Sequence, residues 1–104
     1  MSNQNRSLTE GTAVLRAAAN QITSIANDFF TTYSNLFIKV NNDLANNWVG
    51  EDSTTFVTKA NTYEPKFKEM YNIMNDYSNF LIQTATSYEQ QIQDVKNVAN
   101  TIEF

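Results

Sequence analysis

Eleven aspartate and glutamate side chains are the only plentiful groups in these 104 residues that could act as catalytic acids or bases. The sequence contains no histidine and no cysteine. Metal centres in helical bundles combine glutamate with histidine, and thiolate sites require cysteine, so neither kind of centre can be assembled. A glycine-rich phosphate loop and a nucleophile elbow are also missing. We predict that the protein is not an enzyme and uses no cofactor or metal ion.

The acids within the predicted second helix alternate with apolar positions instead of joining them. They are Glu64, Glu69, Asp76, Glu89 and Asp94. This alternation is typical of the solvated face of an amphipathic helix. A catalytic or metal-binding role for these acids is the less favoured interpretation.

Charge and hydropathy exclude two further classes of partner. The net charge is −4, and the seven basic residues are scattered. Nucleic-acid binding needs clustered lysine and arginine, so no nucleic-acid partner is expected. No apolar stretch reaches the roughly 20 residues of a membrane span, so stable membrane insertion is not expected. The first residues lack the apolar segment of a Sec signal peptide, which predicts that any secretion from the cytoplasm occurs without one.

Trp48-Val49-Gly50 is the most distinctive local feature of the chain. It contains the only tryptophan and one of the two glycines. Glycine adopts the left-handed backbone conformation that ends a helix and reverses the chain. The preceding asparagines, and Asp52 and Ser53 after it, favour turns and helix caps, and either Asp52 or Ser53 is the expected N-cap. Trp48 can either plug the end of a helical bundle or stand partly exposed as a recognition residue.

Helical periodicity continues on both sides of this break. In the first half the apolar stripe includes Ile22, Ile25 and Phe29, and it continues through Tyr33, Val40 and Leu44. In the second half a heptad pattern with one stutter contains Phe56, Tyr63, Phe67, Met70, Met74, Tyr77 and Leu81, followed by Ala85, Tyr88, Ile92 and Val95. These steps of three and four residues predict long amphipathic helices.

The predicted architecture is a single all-α domain over residues 1–104. It is a helix-turn-helix hairpin of two long antiparallel helices, at about 8–46 and about 53–102, with a turn at about 47–52. Pro65 lies inside the second stripe, and we expect a kinked but continuous helix rather than a break. Two such helices cover only part of each other's apolar faces. The uncovered strip predicts pairing into a four-helix bundle. Its core and dimer contact would be formed by the stripe residues Ile22, Ile25, Phe29, Phe56, Tyr63, Phe67, Met70, Met74, Tyr77 and Leu81.

On these features the chain resembles the WXG100 family, the small substrates of type VII (ESX-like) secretion systems. The resemblance rests on the length of the chain and on the central Trp48-Val49-Gly50 between two amphipathic helices. It also rests on the first residues, which lack the apolar segment of a Sec signal peptide. It implies homodimeric or heterodimeric four-helix bundles that an ATPase-driven membrane machine exports as folded dimers. It also implies that Trp48 and Gly50 form the turn part of an export signal. The resemblance further implies a Gram-positive source and a role in virulence or in competition with other bacteria.

The tail departs from the family pattern. The family signal after helix two is often Tyr-x-x-x-Asp/Glu, whereas Tyr88 is followed four residues later by Ile92. Tyr88 is therefore either a degenerate tail signal or, as we favour, a member of the core stripe.

Four functions compete on this basis. The first is a secreted homodimeric substrate, and the second is an adaptor that binds the helical N-terminal domain of a larger toxin and delivers it for export. A bundle that disturbs membranes is disfavoured by the acidic composition, with a sequence pI of about 4.5. An enzyme is the least favoured.

Overall fold

The computed structural model describes residues 2–48 and 50–101, and it is all-α, as the sequence predicts. Helix α1 covers Ser2–Lys39 and continues into a π-helical turn at Val40–Leu44, here called the π turn. The short α2 follows at Ala45–Asn47, and α3 covers Glu51–Thr101. Two long helices on either side of one reversal are therefore confirmed.

The helix ends differ in detail from the expected ones. Helix α1 begins at Ser2 rather than near residue 8, because no proline or glycine interrupts residues 2–10. Helix α3 begins at Glu51, and the carbonyl oxygen of Gly50 accepts a hydrogen bond from the Thr54 backbone N–H at 3.2 Å. The expected caps Asp52 and Ser53 thus lie inside the first turn, so that prediction was wrong. Pro65 lies within α3, which passes through it without a break.

The chain forms two compact units, each containing part of α1 and part of α3. The first unit joins α1 up to Thr23 with α3 from Asp76 onward. Small side chains dominate its contact: Ala19 and Ala85 are completely buried, and Ser78 is 2% exposed. The Ser78 hydroxyl donates to the Ala19 carbonyl oxygen at 2.9 Å, and its oxygen lies 2.8 Å from Thr23 Oγ1. Because Ser78 has only one hydroxyl hydrogen, Thr23 must be the donor in the second bond.

The second unit covers Ser24–Asn75 and contains the reversal, so that it is a helix-turn-helix hairpin. Phe67 of α3 lies among three rings of α1, with centroids 5.9 Å from Phe29, 5.9 Å from Tyr33 and 5.5 Å from Phe37. Tyr71 adds a contact to Phe30 at 5.0 Å. Such tilted and offset ring pairs each contribute about 0.5–1.5 kcal/mol beyond the burial of their area. This aromatic cluster holds the two helices together in the unit that carries the turn.

Candidate interaction surface at the turn

The Trp48 backbone ends the helical segment before the turn. Its N–H still donates to the Leu44 carbonyl oxygen at 2.9 Å, but its φ of −109° and ψ of 95° are extended. Gly50 has a φ of +142°, a conformation that residues with a Cβ atom rarely adopt. Beyond its bond to the Thr54 N–H, the Gly50 carbonyl oxygen accepts from Thr54 Oγ1 at 3.3 Å. Trp48 therefore ends one helix and Gly50 opens the next.

The Trp48 side chain is partly packed and partly accessible. Its ring lies 5.7 Å from the ring of Phe56, one turn into α3, with an interplanar angle of 54°. Trp48 remains 44% exposed and Phe56 46% exposed. The indole is thus held by a neighbour and still presents a little under half of its surface.

An apolar cavity of about 350 Å³ lies beside this ring pair. Phe37 and Val40 form its buried part, whereas Leu36, Phe56 and Tyr63 are exposed. Ala60 and Phe67 complete the lining. Water gains few hydrogen bonds against such a wall, so covering it with a second apolar surface is favourable.

The predicted heptad stripe of α3 divides into two rows with different surroundings. Phe56, Tyr63 and Met70 of the second unit lie seven residues apart and are 46–56% exposed; we call them the outer row. Tyr77, seven residues further along and in the first unit, is 56% exposed. Ala60, Phe67, Met74 and Leu81 are half-buried. After the stutter the same division recurs, because Ala85 and Ile92 are buried whereas Tyr88 and Val95 are exposed. Each heptad thus contributes one apolar residue to the intrachain contact and one to the surface.

The predicted stripe of α1 is also divided. Ile22 and Phe29 are half-buried, whereas Ile25 is exposed. Leu44, which the periodicity assigns to the stripe, is the last residue of the π turn and is 37% exposed. Val49, the middle residue of the turn motif, lies outside the described residues.

Glu89 is the acid whose surroundings the sequence pattern missed. Arg16 donates to it from Nε at 2.9 Å and from Nη2 at 2.6 Å, and Nη2 also donates to Thr86 Oγ1 at 3.1 Å. This bidentate interaction lowers the pKa of Glu89 and raises the pKa of Arg16. Because 73 positions separate the partners, no local signal could have identified the pair.

The other acids singled out from the sequence are exposed and are not brought together. Glu64, Glu69 and Asp76 lie on the surface of α3. Asp94 is exposed too, and it accepts a hydrogen bond from Gln90 at 3.0 Å. Within the described residues no group of acids could hold a metal ion, and neither long helix has a segment apolar enough to cross a bilayer.

A family comparison agrees with the fold and the turn. The WXG100 family, described as proteins of 100 residues with WXG, matches residues 11–101. That match covers most of the chain, which therefore belongs to the WXG100 family. The family consists of non-enzymatic helical proteins, and membership is consistent with a small secreted substrate of a type VII system. Neither the curated proteins nor the solved structures that were compared gave a match.

Proposed function

We propose that this protein is a non-enzymatic substrate that a type VII secretion system exports as a folded dimer. The Trp48–Gly50 turn contributes to its recognition by the export ATPase. The observation that carries this proposal is the outer row, a line of large apolar side chains that the chain's own fold leaves uncovered. Family membership supplies the secretion route.

The outer row supports pairing on physical grounds. Fully burying one large apolar side chain contributes about 1.5–3 kcal/mol, so the three half-exposed residues of the row represent several kcal/mol of unrealised burial. Contiguous apolar surfaces of this kind are typical of protein–protein contacts. The occupant is a second copy or a related helical protein, whose own row would close a four-helix bundle.

The turn supports a role in recognition. Trp48 is the only tryptophan and is half-exposed against Phe56. Tryptophan is enriched among the residues that dominate binding energy, because it buries a large area with few rotatable bonds. We expect Trp48→Ala to leave helicity and pairing largely intact while reducing export. Trp48→Phe is the matched control, since it keeps a ring against Phe56, and loss of helical circular dichroism in Trp48→Ala would contradict the assignment.

The tail favours a second candidate, the adaptor that delivers a larger toxin. The fourth residue after Tyr88 is Ile92, which is 8% exposed and packs inside the chain. A buried isoleucine cannot replace the exposed acid of a Tyr-x-x-x-Asp/Glu signal, so a partner would have to supply that signal. Tyr88 itself is exposed and remains available to such a partner.

The solution mass of the purified chain separates the two candidates. Sedimentation equilibrium across a dilution series is expected to give a helical dimer for the self-sufficient substrate. A monomer that dimerises only after addition of the N-terminal helical domain of a toxin from the same gene cluster would establish the adaptor. A chain that stays monomeric both alone and with that toxin domain would overturn the proposal that the outer row is a pairing surface.

A further inference from the structure

Two helix irregularities face each other in the unit that contains the turn. The first is the π turn, where the Ala45 N–H donates to the Val40 carbonyl oxygen five residues back. The second is Pro65 in α3, whose missing N–H leaves the carbonyl oxygen of Asn61 without its usual helical donor. Asn41 of the π turn contacts Asn61 directly. Isolated π turns are rare and often mark functional segments.

The contact between Asn41 and Asn61 is a reciprocal amide pair. Asn41 Nδ2 donates to Asn61 Oδ1 at 3.0 Å, and Asn61 Nδ2 donates to Asn41 Oδ1 at 2.8 Å. The second hydrogen of Asn41 Nδ2 goes to the Phe37 carbonyl oxygen at 2.7 Å. A flipped Asn41 amide would set its oxygen against that carbonyl, so one orientation is fixed. The pair ties the π turn to one level of α3.

The π turn changes the direction in which the following residues project. In an uninterrupted α-helix Trp48 would lie eleven residues, or about three turns, after Phe37 and would project toward the same side. A π turn accommodates one extra residue, which alters the direction of all later side chains by about 100°. Leu44, the last residue of the π turn, is 37% exposed, whereas Phe37 and Val40 before it are buried. Trp48 packs on Phe56 and is 44% exposed, whereas Phe37 is only 6% exposed.

We propose that Asn41 and Asn61 are positioning residues that hold the extra residue of the π turn in place and so present Trp48 against Phe56. Without the amide pair, the segment relaxes to α-helical geometry and Trp48 turns toward the side of Phe37. The link from this presentation to export rests on the proposed function, whereas the positioning itself does not.

Trp48 fluorescence tests the positioning, because the protein has a single tryptophan. Asn41→Ala and Asn61→Ala are compared with Asn42→Ala, which lies in the same turn, gains the same helix propensity and makes no hydrogen bond to α3 within the described residues. We expect a blue-shifted emission maximum and about twofold weaker quenching by acrylamide in the first two variants only, since the indole becomes less exposed. Asn61→Ala, which keeps the Asn41–Phe37 bond, serves if Asn41→Ala is poorly folded by circular dichroism.

Deletion of Asn42 provides a rescue that a merely structural role would not produce. Once the extra residue is removed, an uninterrupted α-helix points the Trp48 side chain in the same direction as in the wild type. The deletion alone is expected to keep the wild-type emission and quenching. Combined with Asn41→Ala, it is expected to restore them. Wild-type fluorescence in both alanine variants, or a failure of the deletion to restore it, would overturn the proposal.

Export of the same variants separates this inference from the proposed function. If the fluorescence changes and is rescued but export stays normal, the positioning is established and the role of Trp48 in export fails. If export falls in Asn41→Ala and returns with the deletion, both are supported. If Trp48→Ala lowers export but Asn41→Ala and Asn61→Ala both leave the fluorescence unchanged, the proposed function remains and the positioning is overturned.

Discussion

Phe56 packs on Trp48 with a ring-centroid separation of 5.7 Å, and this contact joins the turn to the beginning of the outer row. Phe56 is at once the neighbour that holds the indole and a wall of the apolar cavity that Tyr63 also lines. The turn motif and the proposed pairing surface are therefore adjacent parts of one apolar surface. A substitution in one can affect the other, so export and pairing must be measured separately on each variant.

Gly50→Ala is expected to destabilise the protein by about 1–2 kcal/mol, because the positive φ strains any residue with a Cβ atom. No atom lies within 4 Å of the added Cβ, so backbone strain is the whole effect. Gly11→Ala is the matched control, since it also adds a methyl group in open space but lies inside α1. It should stabilise the protein by about 0.5–1 kcal/mol. Urea unfolding measures the change in the free energy of unfolding for both variants. Changes of the same sign would contradict the role of Gly50.

Tyr63→Lys and Met70→Lys are expected to weaken pairing at least about tenfold, because each places a charge in an apolar contact. Both residues are exposed in the outer row, so the helices of one chain should remain intact. Asn72→Lys adds the same charge at an exposed polar position of α3 and serves as the control. Sedimentation velocity across dilution measures the dissociation constants. An unchanged constant for both outer-row variants would show that this row is not the pairing surface.

Ser78→Ala is expected to destabilise the protein by about 1–3 kcal/mol, because it removes a buried donor and acceptor. The Ala19 carbonyl would lose the hydroxyl donor, and the Thr23 hydroxyl would lose its acceptor. Ser87→Ala, an exposed serine of the same helix, should change stability by less than about 0.5 kcal/mol. Denaturant midpoints compare the two variants. A neutral Ser78→Ala would mean that the hydroxyl is not needed for close approach of α1 and α3 in this unit.

Glu89→Gln is expected to make folding stability less sensitive to acid. Arg16 lowers the pKa of Glu89 in the folded protein, so the folded protein binds fewer protons than the unfolded chain in this pH range. The contribution is present above the unfolded-state pKa of glutamate and is lost as pH falls through the lower folded-state value. The wild type should therefore lose stability more steeply on acidification than the variant. Glu69→Gln, an exposed acid outside any ion pair of the described residues, is the control for loss of one charge. Identical slopes for the wild type and Glu89→Gln would contradict the ion pair.

Local patterns were sufficient for the broad architecture. The heptad steps through Phe67 and Met74 predicted a helix that continues past Pro65, and α3 does so. Nothing local indicated the π turn, because Val40–Leu44 contains no proline or glycine and reads as ordinary helix. The extra residue is stabilised by Asn61, which lies 20 positions further along. A register change of this kind depends on a partner that no periodicity contains.

The sequence by itself determined two amphipathic helices on either side of Trp48-Val49-Gly50, because periodicity, turn propensity and the freedom of glycine are properties of neighbouring residues. Only the tertiary structure decided which apolar row of each heptad packs inside the chain. Phe67 and Tyr63 offer similar apolar area, so burial energy alone does not distinguish their rows. The rings that meet Phe67, and the small Ala19, Ser78 and Ala85 that permit close approach, make that choice. Those contacts join residues far apart in the chain, and they leave the outer row exposed.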